Sequence, residues 1–144
     1  MIVGGGGWDE ASCQKIQDFA EKNHLPVGCS FRCQDYFDNR HPNYVGHIGI
    51  GLSTSLQDRI INSDLLVVIG ARLGEVTTSG YSLLDIPRPK QQLIHIHSGA
   101  EELGSVYQAD VPINASPRSF AEAISRLEIA CLLYTSDAAD DGLS

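Results

Sequence analysis

The sequence predicts an α/β fold, a three-layer domain with a mainly parallel sheet of about six strands. Two observations predict it. Apolar strand-like runs alternate with helix-like segments from one end to the other, the pattern of right-handed βαβ units around a parallel sheet. "DLLVVIGAR" (64–72) is continuously apolar from Leu65 to Ile69, as expected of a central parallel strand covered on both faces. Six such strands in one domain imply a Rossmann-like order, in which the first and fourth strands lie side by side where the winding reverses.

Each element follows in order. Met1–Val3 reads as the end of a buried strand, and the glycines 4–7 break it. Asp9 is a good N-cap for a helix over about 10–23, with Ala11, Ile16, Phe19 and Ala20 as its apolar face. "LPVGCSF" (25–31) is a second strand, and 33–44 is loop-like, with Asn, Asp and Pro punctuation. Residues 44–53 form a short strand or loop, and 54–63 a helix with Leu56, Ile60 and Ile61 turned inward. After the strand at 64–72 comes a long polar connection (73–91), then strands at 92–98 and 109–115. Ser116 and Pro117, favoured at N-cap and N1, start a last helix through about Leu127.

The length of 144 residues suits one domain with a sizeable core. Hydrophobic residues at 42% and charged residues at 19% describe a globule, not a disordered chain. No apolar run reaches the ~18 residues of a membrane span and no signal peptide is visible, so no membrane partner and a cytoplasmic location are expected. The net charge of −8 argues against a nucleic-acid surface, but it leaves room for a phosphate site built from backbone N–H groups.

The ending stands apart. "CLLYTSDAAD" (131–140) resembles a translated sequencing adapter, so 131–144 is read as a tail foreign to the domain at 1–130. The tail holds Asp137, Asp140 and Asp141; without them 15 acids face 10 bases, a charge of −5. On this reading the natural chain is expected to continue past Ala130, and the short first strand is expected to be a cut edge.

The chemistry-bearing candidates are few. "VGGGGWDE" puts a glycine loop between a strand and a helix N-terminus, where free N–H groups can meet an anion. The dinucleotide fingerprint fails at two places: Asp9 stands at the third glycine position, and the second strand closes on Cys29 and Ser30 where an acid should hold a ribose. The loop is therefore either a structural turn or half of a nucleotide crevice. "IGAR" supplies the other half, because Gly70 follows the long strand directly and Arg72 is the cation nearest it in sequence. In a Rossmann-like order both pieces share the switch-point crevice, and an Arg there can clamp a phosphate in bidentate fashion. His95 and His97 are two apart and share one strand face, with no third metal ligand apparent; the one near the strand end can meet a ribose or solvent. Cys29 and Cys33 are separated by three residues, which fits no common zinc pattern even with His24, His41 and His47 nearby. No nucleophile–base pair is evident.

The stretches "IVGGGGWDEA", "SDLLVVIGARLGE" and "IHIHSGAEELGSVYQADVPI" resemble the central domain of thiamine-diphosphate-dependent enzymes, in the acetolactate synthase large subunit-like group. The resemblance covers nearly the whole chain to about Ala130. It implies a six-stranded Rossmann-like domain of flavin- or nucleotide-binding type, lying between N- and C-terminal domains missing here. Those domains would carry the catalytic Glu, the thiamine diphosphate and the Mg²⁺. It further implies a homodimeric or homotetrameric parent acting on 2-oxo acids, and a fragment inactive alone. In FAD-binding members the glycine loop and the Gly-x-Arg contact the cofactor, which carries over to Gly5, Gly6, Gly70 and Arg72; His97 stands where they read Asp. Those members usually read Met-His-Gly where this chain has Ile50-Gly51-Leu52, and Phe-Asp-Asp-Arg where it has Leu73-Gly74-Glu75-Val76. Other relatives hold ADP, or nothing. The rival to a central domain is a stand-alone module for FAD or an adenine nucleotide.

Overall fold

The computed structural model describes residues 1–30, 36–49, 52–74, 78 and 83–126. The adapter-like tail, Cys33, Ile50-Gly51 and Glu75-Val76 fall outside them. Six strands form one sheet in the order β3-β2-β1-β4-β5-β6, and every pairing is parallel. The strands are β1 (Ile2–Val3), β2 (Val27–Ser30), β3 (Tyr44–Ile48), β4 (Leu65–Ile69), β5 (Gln92–His97) and β6 (Val111–Asn114). The helices are α1 (Glu10–Lys22), α2 (Thr54–Ile61) and α3 (Pro117–Ser125). The fold is the expected three-layer Rossmann-like domain, and the winding reverses between β1 and β4.

Alternation along the strands sorts the core into two layers. Ile2, Ile48, Leu66, Val68 and Leu93 pack with Leu56 and Ile60 of α2 on one face. Val3, Val27, Cys29, Ile69 and Ile96 pack with Ile16 and Ala20 of α1 and Ala121 of α3 on the other. The start signals read at Asp9, Ser116 and Pro117 hold, and α2 has a cap of its own. Ser53 caps α2 by accepting from the Leu56 N–H, and Ser116 caps α3 by accepting from the Ser119 N–H, with Pro117 at N1.

Two expectations are corrected. Ala11 is exposed, because the buried row of α1 is Ser12, Ile16 and Ala20 at i, i+4 spacing, one residue off Ala11. Ser12 enters that row through a capping box: Asp9 Oδ1 accepts the Ser12 N–H at 2.8 Å, and Ser12 Oγ accepts the Asp9 N–H at 2.9 Å. Leu65 is 38% exposed rather than covered on both faces. β1 pairs only with Val68 and Ile69, so the first residues of β4 have β5 alone beside them.

Candidate functional site

The crevice at the switch point is built from backbone. The Gly4 N–H donates to Ile69 O at 3.1 Å and the Gly70 N–H to Ile96 O at 2.8 Å, so both loops leave the sheet still tied to it. Gly5 and Gly70 have φ of +70° and +80°, left-handed conformations that glycine adopts without a Cβ penalty. Neither site has room for a Cβ: one on Gly5 would collide with Gly70 O, and one on Gly70 would collide with Gly4 O and stand 2.9 Å from Pro117 Cγ. The glycine loop, the end of β4 and the start of α3 thus meet at one point. Gly6 lies at the open rim, with nothing within 4 Å of an added Cβ.

Two aromatic side chains fasten the loop. Trp8 Nε1–H donates to Gly4 O and Tyr36 O–H donates to Gly5 O, each at 2.7 Å. The rings lie 5.5 Å apart, tilted by 32°. Trp8 Nε1 stands 3.2 Å from where a Gly70 Cβ would be, so the indole edge reaches the junction itself. At the start of α1 the Asp9 carboxylate is held below the usual carboxylate range, chiefly by the Ser12 backbone N–H and then by the Ser12 hydroxyl.

The Arg72 side is arranged differently. The guanidinium is 70% exposed, and its Nε lies 3.1 Å from Glu102 Oε1, on a carboxylate that is 24% exposed. Glu102 closes the 3₁₀ turn Ala100–Glu102 after β5. Beneath the loop, His95 is buried with Nε2 2.9 Å from Ala71 O, which must accept, so Nε2 carries the proton. Burial is the main cause that lowers the His95 pKa, and the ring is neutral at pH 7. His97 lies on the same strand face, with ring centroids 6.1 Å apart and near-perpendicular planes. Its Nδ1 accepts the Gly99 N–H at 2.9 Å.

Of the residues picked out in the sequence, Gly5 and Gly70 are in backbone contact and Arg72 lies two residues on, while Gly6 stays at the rim. His97 ends the strand beside β4. Trp8, Tyr36, Glu102 and Arg118 escaped the sequence reading. Arg118 follows Pro117 at the start of α3, and its charge acts on Asp9. Trp8 was signalled by its place directly after the glycines. Glu102 had no such signal, since only the folded turn after β5 brings it to Arg72. Among the described residues no group of three or more His, Cys, Asp or Glu could hold a metal, and Cys29 is buried in β2. No helix among them is long and apolar enough to cross a membrane.

A doubly wound parallel sheet with a glycine loop at its switch point defines a three-layer α/β domain of Rossmann-like type. The family described as "Thiamine pyrophosphate enzyme, central domain" matches residues 1–124, and the chain belongs to it. Similar proteins include the acetolactate synthase large subunit of Corynebacterium glutamicum, 28% identical over 127 residues, which are 88% of this chain and 19% of that protein. The sulfoacetaldehyde acetyltransferase of Alcaligenes xylosoxydans xylosoxydans is 25% identical over 126 residues, 88% of this chain and 21% of that protein. An acetolactate synthase of Mycobacterium avium is 27% identical over 113 residues, 78% of this chain and 18% of that protein. The chain spans about a fifth of the length of the curated relatives it matches.

Proposed function

We propose that this chain is the central domain of a thiamine-diphosphate-dependent enzyme acting on a 2-oxo acid, with acetolactate-synthase-like chemistry, and that it is inactive alone. The observation that carries the reading is the family match over residues 1–124 in a chain one fifth as long as its relatives. Thiamine diphosphate supplies a carbanion-stabilising centre when bound. It and its Mg²⁺ belong to the N- and C-terminal domains of a cytoplasmic homodimeric or homotetrameric parent. This chain's own contribution is a frame whose two glycine junctions fix the ends of β1 and β4.

Gly5, Gly6, Gly70, Arg72 and His97 mark the place where FAD or ADP would contact the domain. The second reading, a stand-alone FAD or adenine-nucleotide module, draws its support from Gly6, whose rim position leaves open space in front of the loop. The primary reading is tested by incubating the purified chain with thiamine diphosphate, Mg²⁺ and pyruvate and following CO₂ release. It predicts release at the rate of the protein-free blank, and turnover above the blank contradicts it. The flanking genomic sequence tests the parent: a downstream Gly-Asp-Gly…Asn segment is expected, and its absence rejects the assignment.

A further inference from the structure

We infer that the chain's own groups, Trp8 at the glycine junction and Glu102 on Arg72, disfavour the pyrophosphate of FAD or ADP in the switch-point crevice. The inference rests on the central-domain reading only for the identity of the excluded ligand. A pyrophosphate in such a crevice is favoured by close approach to a glycine backbone and by the positive end of the first helix, and a nearby cation adds to both. Here Trp8 stands at the glycine junction, Asp9 caps the helix end and Glu102 pairs with Arg72, while the rim at Gly6 stays open.

The approach to the backbone is narrowed by Trp8. Its indole N–H is bonded to Gly4 O and its edge lies against Gly70, at the junction a pyrophosphate would have to reach. The ring is braced by Tyr36, itself bonded to Gly5 O. The N-terminal end of α1 is served by Asp9, an ionised carboxylate that accepts the Ser12 N–H. An anion at that end meets a resident negative charge.

Arg72 is served by Glu102. A phosphate that reached the guanidinium would stand beside the Glu102 carboxylate, 3.1 Å from the same Nε, where like charges disfavour one another. The pair is exposed enough to be weak as a source of stability. It nevertheless lowers the positive charge an incoming phosphate meets at Arg72. These residues are therefore a poor match to a pyrophosphate cofactor, although the fold is one that elsewhere holds one.

Calorimetric titration with ADP and with FAD, each to about 1 mM, tests this on the purified chain. The wild type is expected to give no binding heat. Glu102→Gln leaves Arg72 a neutral partner and is expected to tighten ADP binding about tenfold or more, the scale of one hydrogen bond to a charged group. Adding Trp8→Ala is expected to tighten it further, and adding Arg72→Ala to abolish the gain. Should Trp8→Ala prevent folding, as judged by circular dichroism, the Glu102→Gln result decides alone. Micromolar binding of ADP or FAD by the wild type overturns the inference. So does silence in every folded variant, or a gain that survives Arg72→Ala. None of these outcomes bears on turnover of pyruvate or on the flanking sequence, so failure here is distinguishable from failure of the central-domain reading.

Discussion

The glycine loop and the Arg72 loop meet at one point of the sheet, but different forces hold them. The glycine side is a set of short, part-buried hydrogen bonds onto carbonyl oxygens, from Trp8 to Gly4 and from Tyr36 to Gly5, around two left-handed glycines. The Arg72 side rests on an exposed ion pair above and a buried histidine below. Geometry fixes the first, so substitutions there act on stability. Charge tunes the ion pair of the second, so substitutions of Arg72 or Glu102 are expected to act on what can bind.

Gly70→Ala attacks the comparison where it is most rigid. A left-handed φ and collisions with Gly4 O and Pro117 should cost on the order of 3 kcal/mol, read as a lowered urea midpoint. A loss within ~0.5 kcal/mol would show that the two loops are not in contact. Trp8→Phe keeps a ring but removes the N–H to Gly4 O, and about 1 kcal/mol should be lost in the same measurement.

The Arg72 side is expected to respond to pH through His95. Because burial lowers the His95 pKa, the unfolded chain binds this proton more readily than the folded one. Stability should therefore fall as pH drops below about 6.5, the ordinary histidine value, and His95→Gln should flatten that slope. The buried Met1 amine, pushed down to about 5 by desolvation, has the same sign, so the difference between wild type and variant isolates His95. An unchanged slope would remove His95 from the support of the loop. The smallest effect is expected from Glu102→Gln, within ~0.5 kcal/mol of wild-type stability, as for an exposed pair. A larger loss would make Glu102 a structural residue.

Most of the frame was legible from local signals. Apolar runs marked the strands, Asp9 and Ser116 marked the starts of α1 and α3, and alternation predicted the order that puts β1 against β4. What escaped depends on the third dimension. Ala11 was misjudged because one residue of helical rotation sends Ser12 inward instead. Leu65 is exposed because β1 is too short to flank it. The candidate site was half legible: the glycines and Arg72 announce themselves, whereas the groups that occupy them come from an aromatic pair and a turn whose positions only folding brings together.

The indole of Trp8 tests the central claim most directly, since the chain has one Trp and hence one indole N–H signal. Hydrogen exchange at that signal, followed by NMR without and with about 1 mM ADP, reports whether Trp8 holds the crevice. Slow exchange and an unmoved signal on adding ADP are the predicted result. Fast exchange, or a signal that shifts as ADP is added, would contradict a glycine junction held by Trp8 against the nucleotide.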